Sequence, residues 1–143
     1  RCPLPAIAAW RSIRRAGTQA ARQAGCPKLP PQVLATLGRL AYRYSYGQNQ
    51  LFHSVESARL AGLLASEFKA DVKVCKMGGL LHDIGKALDR ENEGTHVQLG
   101  VDLLKRFNID MSAYPTITRI FTALDAIEAF SKAAPPKQPD ATA

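Results

Sequence analysis

At 143 residues, with 46% hydrophobic and 22% charged side chains, the chain has the composition of one globular domain that can bury a core without disulfide staples. No apolar run approaches the ~18 residues of a membrane span. Three cysteines at irregular spacing, Cys2, Cys26 and Cys75, form no CxxC pair and leave one over, which argues against a disulfide framework and for a reducing compartment such as the cytoplasm. The formal net charge of +7 is uneven: residues 1–55 hold eight Lys and Arg and no Asp or Glu, whereas residues 56–143 hold eleven against twelve. Such a basic segment suits a polyanion such as RNA, an anionic membrane surface or an acidic partner, although a merely solvated helical face would look the same. The first residue is Arg, so a signal, an anchor or another domain can lie upstream.

Taken in order, residues from about Pro5 to Ala24 read as a helix, with Ile7, Trp10 and Ile13 on one face and Arg11, Arg14, Arg15 and Arg22 mostly elsewhere. Gly25 ends it, and the Pro-rich stretch Cys26 to Pro31 is a break and a candidate connector. Val33, Leu34, Leu37 and Leu40 predict a short amphipathic helix, fading near Tyr42 and turning at Gly47. From Gln48 to Phe68, Leu51, Phe52, Val55, Ala58, Ala61, Gly62 and Ala65 recur at helical spacing around His53. Asp71 is an N-cap candidate for a helix from Val72 to His82 with Val74, Cys75, Gly78, Leu80 and Leu81 largely buried, and Gly85 is expected to let the backbone turn just beyond it.

After a polar loop from Asp89 to Gly94, a helix from about Thr95 to Phe107 should turn Val97, Val101 and Leu104 inward. Pro115 suits the first turn of a last helix reaching about Ser131. No strand shows convincing alternation and no repeat is visible. The expected fold is an all-α bundle of about five or six helices, with any ligand site between facing helices. Its organisation is read as a basic helix and connector over residues 1–31, a helical domain over 32–132 and a disordered tail over 133–143.

Within this frame Leu80 to Lys86 (LLHDIGK) places an imidazole beside a carboxylate at the end of an apolar helix. His82 and Asp83 point about 100° apart on an ideal helix and can share one metal where the backbone begins to turn. His53 is the natural third ligand and Asp125, an acidic residue on an otherwise apolar face, the best fourth. Mixed imidazole and carboxylate ligation suits Mn, Fe, Zn, Co or Ni better than Ca, and open positions would mark a catalytic site. There a metal lowers the pKa of water for attack on a phosphodiester and draws charge from a phosphoryl oxygen. Lys86, one turn after His82, is placed to hold the phosphate. His96 is a candidate for a second metal or a phosphate contact. Each of these residues taken singly also has a plain reading as a core, cap or surface residue.

His53 together with Gly79 to Lys86 (GLLHDIGK) resembles the HD superfamily of metal-dependent phosphohydrolases. More narrowly, Leu37 to Ser54 (LGRLAYRYSYGQNQLFHS), Glu56, Leu60 to Leu63 and Glu93 to His96 are similar to the HD domain of ribonuclease Y, and Gln23 to Gly25 with the Pro-rich connector resembles the segment before it. The resemblance covers roughly residues 20–107. It implies an HD-domain helical bundle, an endoribonuclease cleaving single-stranded RNA in mRNA decay, and a homodimer. Family members also carry an N-terminal membrane anchor, a coiled coil and an RNA-binding KH domain, none of which is readable here.

The C-terminal part departs from the pattern, which has a His-His-Gly segment followed by an Asp in a helix resembling Ala-Asp-Ala-Leu. In one register Leu124 to Ile127 matches that helix, Asp125 is the last ligand and the His pair is deleted. In the other, starting from Pro115, Leu124 and Asp125 stand where the His pair belongs and the last Asp is lost or lies in the tail. The first is preferred, because Asp125 then has helical context and small neighbours. The leading expectation is thus a phosphodiesterase of the ribonuclease Y type. His53, His82, Asp83 and Asp125 would hold one divalent metal (Mn, Fe, Mg, Zn, Co or Ni), with Asp83 and Lys86 in catalysis. The alternatives are a degenerate HD domain serving as a binding or structural subunit of a larger assembly, and a nucleotide or cyclic-dinucleotide phosphohydrolase.

Overall fold

In the computed structural model the described residues are 4–107 and 109. They form five α-helices and one two-stranded hairpin, an all-α architecture. The expected last helix with Asp125, and the expected tail, lie outside the described residues.

Helix α1 (Leu4–Gln23) is rich in alanine, and its buried face is small. Ala20, Ala21 and Ala24 are buried, whereas Trp10 is 57% exposed and Ile13 only half-buried. The cause is the crossing with α2 (Pro31–Arg39), where two glycines meet. A Cβ at Gly17 would overlap the carbonyl oxygen of Leu34, and one at Gly38 that of Ile13, so the backbones approach where a large side chain would hold them apart. A Schellman pair closes α1, with Gly25 N–H donating to Arg22 O (3.0 Å) and Cys26 N–H to Ala21 O (2.8 Å) while Gly25 takes φ +79°. Proline at the first position of α2 costs no hydrogen bond.

A 3-10 turn (Leu40–Tyr42) leads into the hairpin of β1 (Tyr44–Ser45) and β2 (Gln48–Asn49), which pair antiparallel with Tyr44 opposite Asn49 and Ser45 opposite Gln48. Tyr46 and Gly47 supply the two positive φ values, +51° and +77°, that a type I′ turn needs. The turn at Gly47 was expected but the hairpin was not, since two-residue strands are too short to show alternation.

Asn49 caps α3 (Gln50–Glu67), its Oδ1 accepting from Leu51 N–H (3.1 Å) and Phe52 N–H (3.3 Å). The inward stripe is Gln50, Ser54, Val55, Ala58, Gly62 and Ala65. These mostly small side chains let α4 (Val72–Leu81) lie close. Asp71 caps α4 as expected, accepting from Lys73 N–H at 2.8 Å and Val74 N–H at 3.0 Å. Leu80 and Leu81 are buried, while Val74, Cys75 and Gly78 are half-buried. A 3-10 turn (Ile84–Ala87) follows, and Thr95 caps α5 (His96–Arg106) through Gln98 N–H.

One expectation here needs correction. Leu104 is buried as expected, but Val97 is 59% and Val101 38% exposed, and α5 turns Gly100 inward beside Leu104. The backbone turns at Gly85 as expected, within the 3-10 turn, and Gly85 is also the point where α5 lies against that turn: a Cβ there would overlap the carbonyl oxygen of His96. Leu37, Leu40, Val55, Ala58, Leu80, Leu81, Ile84 and Leu104 form one buried cluster with α1's alanines. Among the described residues no helix is long and apolar enough to cross a membrane.

Candidate metal centre

Three elements converge on the site. His53 projects from the second turn of α3, His82 is the residue at which α4 ends, and Asp83 opens the following 3-10 turn. One ligand atom from each lies within 4.8 Å of the others. The His53 and His82 rings meet edge to face, with centroids 5.2 Å apart and planes at 73°. The helical segments thus bring together three of the four metal ligands expected from the sequence.

The orientation of His82 is set by its other nitrogen. Nδ1 lies 2.9 Å from Gly79 O, and a carbonyl can only accept, so Nδ1 carries the proton. Nε2 then faces Asp83 Oδ2 at 3.2 Å. A divalent cation placed between that Nε2 and the carboxylate would accept a lone pair from each. With His53 Nδ1 or Nε2 completing the set, the cluster is consistent with coordination of a divalent metal ion, and its donors do not distinguish which one.

Asp83 is the hub. Its side chain is 13% exposed, and Oδ2 also accepts from Lys86 Nζ at 2.8 Å, while His96 Nε2 lies 3.7 Å from Oδ1. Burial pushes its pKa up, but the hydrogen bond from Lys86 and the positive charge of His82, Lys86 and His96 together outweigh burial and hold it below the ordinary carboxylate value. Lys86, read from the sequence as a phosphate ligand, is therefore engaged with the carboxylate. His96 reaches the same carboxylate from α5 on its other oxygen. Asp125 lies outside the described residues.

Gln50 belongs to the site and was not singled out. Its Oε1 accepts from Lys86 Nζ at 2.9 Å, and its Nε2 donates to Ser45 O at 3.3 Å and Gln48 O at 3.4 Å. A polar residue on the inward stripe of α3, one turn before Ser54, is the signal that could have revealed it. Arg43 is a second such residue: its Nη2 bonds Asp89 Oδ2 at 3.0 Å and ties the start of the hairpin to the loop after the site.

Comparison with known proteins bears on the same residues. The pattern of the HD domain matches residues 51–139. The chain belongs to the HD-domain family. Among similar proteins are three named ribonuclease Y. That of Syntrophomonas wolfei is 54% identical over 97 residues, 68% of this chain and 19% of that protein. The Desulforudis audaxviator protein is 57% identical over 95 residues, 66% of this chain and 18% of its own. Its counterpart from Enterococcus faecalis is 45% identical over 130 residues, 82% of this chain and 25% of its own. This HD-domain chain thus spans about a fifth of the length of the curated relatives it matches. No solved structure matches it.

Proposed function

We propose that this HD domain is a metal-dependent phosphodiesterase of the ribonuclease Y type, hydrolysing single-stranded RNA. The observation that carries this reading is the convergence of His53, His82 and Asp83 ligand atoms within 4.8 Å; similarity to proteins named ribonuclease Y supports the substrate.

A divalent ion would be held by His53, His82 and Asp83, with Asp125 as the proposed fourth ligand, and would supply an acidified water and draw charge from the phosphoryl oxygen. The protein does the rest. Gly79 O fixes the His82 tautomer so that Nε2 faces the cluster. Lys86 balances the Asp83 charge and, being fixed by Gln50, keeps an ammonium at the edge of the site where phosphate charge grows. His96, on the other side of the carboxylate, is the candidate proton carrier or second phosphate contact. The basic N-terminal half attracts the RNA.

The test is elemental analysis of the untagged chain after Mn or Fe is supplied, alongside cleavage of a fluorescent single-stranded RNA. Near-stoichiometric metal and RNA cleavage, both lost in Asp83→Asn, are expected. Absence of metal from the wild-type chain would point to a binding or structural subunit. Metal with turnover of mononucleotides or cyclic dinucleotides but not RNA would point to a nucleotide phosphohydrolase.

A further inference from the structure

A concavity opens beside Lys86. It has a volume of about 280 Å³, and among the described residues its walls include Ile13 of α1, Arg39 of α2, Tyr42 and Arg43 after it, and Lys86 and Arg90 beyond the cluster. Four cations line one small cleft, and the only carboxylate among its described lining residues is Glu91.

The state of these cations decides what the cleft can take. Arg39 is held by Glu91 at 2.6 Å and Arg43 by Asp89 at 3.0 Å, each through Nη2. A guanidinium has five N–H donors, so both arginines are oriented by an ion pair and retain donors for a second acceptor. Arg90 is exposed, and among the described residues no carboxylate lies within ion-pair distance of it. Tyr42 stands among them 66% exposed, its hydroxyl 3.3 Å from Ser12 Oγ and its ring left largely uncovered. Guanidinium groups beside an exposed aromatic ring are the chemistry that takes a phosphate and the unstacked base next to it. Lys86 is shared: it lines this cleft and its ammonium contacts Asp83.

We propose that this cleft is a subsite for single-stranded polynucleotide. The phosphate of a neighbouring nucleotide lies against Arg39, Arg43 and Arg90, and a base stacks on Tyr42, while the adjoining phosphodiester faces the His53, His82 and Asp83 cluster. The inference rests on reading that cluster as the cleavage site, and on it a longer strand is expected to be gripped in preference to a mononucleotide.

The experiment measures binding rather than cleavage. Fluorescence anisotropy of a labelled single-stranded oligoadenylate is followed with the full chain in EDTA, across a series of KCl concentrations. Arg90→Gln is expected to weaken binding and to reduce the slope of log K against log salt by about 0.7, the share of one phosphate contact on a single strand. Tyr42→Ala should weaken binding about fivefold or more with the slope unchanged, because stacking releases no counterion. Lys73→Gln, on exposed α4 surface away from the cleft, should bind as the wild type does.

Binding of Arg90→Gln and Tyr42→Ala at wild-type strength overturns the proposal, all the more if Arg14→Gln with Arg15→Gln abolishes binding and assigns it to the exposed face of α1. Failure of the wild-type chain to bind overturns it equally. Oligoadenylate binding with the predicted pattern but no RNA cleavage in Mn would sustain the subsite and remove the nuclease reading, so the two failures are distinguishable.

Discussion

Gln50 joins the hairpin to the metal cluster through one side chain. At 2% exposure it accepts from the Lys86 ammonium and donates to two hairpin carbonyls, so its amide has its partners inside the protein. Gln50→Leu removes the acceptor and leaves a half-buried ammonium and two carbonyls short of a partner. A loss of about 1–3 kcal/mol is expected, measured by urea unfolding. Lys86→Ala acts differently, because it strips Asp83 of its hydrogen-bonded ammonium. RNA turnover should fall roughly a hundredfold while bound metal, assayed on the same sample, persists; equal loss of both would place Lys86 in metal retention instead. His53, His82 and Asp83 were legible in the sequence because His53 lies within one helical pattern, His82 and Asp83 stand at the end of another, and their likeness to the HD pattern joined them as one set. Gln50 was not, since a glutamine in a helical pattern ordinarily faces water and nothing local marks its partner 36 residues away.

At the level of elements, one close contact decides where α5 stands against the site. Gly85 lies under the first turn of α5, where a methyl group would overlap His96 O. Gly85→Ala must therefore move α5 and carry His96 away from Asp83. Overpacking of this kind costs about 1–3 kcal/mol or more, and thermal unfolding should show it together with a changed His96 imidazole signal in NMR. Asp71→Ala, at the other end of the α4 segment, should cost only ~1 kcal/mol, as the loss of a cap does. The Asp71 cap was readable because Asp71 directly precedes a helical period, whereas Thr95 was read as the start of its helix and is its cap. The facing of α5 was not. Its inward positions include Gly100, which has no side chain to announce burial, while Val97 and Val101 supplied an apolar stripe that the structure leaves largely exposed.

On the scale of the molecule, the region matched by the HD domain pattern begins at residue 51, yet the buried cluster does not. Ala20 and Ala21 of α1, Ala24 in the turn that closes it, and Val33, Leu37 and Leu40 before the hairpin belong to the same cluster as Leu80, Leu81 and Ile84, the residues that carry His82 and Asp83. The sequence reading separated residues 1–31 as a basic connector because the charge pattern and prolines are visible, whereas packing through glycine and alanine leaves little hydrophobic signal. The alanines of α1 wall the core, so a chain beginning at Pro31 exposes Val33, Leu37 and Leu40 to water. Such a truncation should lose cooperative unfolding in urea and, if the cluster is the metal site, metal retention with it. Gly17→Ala tests the same packing with the chain intact. Its methyl group would overlap Leu34 O, pushing α1 from α2 at a cost of about 1–3 kcal/mol. A truncated chain that unfolds as cooperatively as the full one, with Gly17→Ala unchanged in stability, would show that α1 is an appendage; paired losses would show that the basic helix is structural as well as electrostatic.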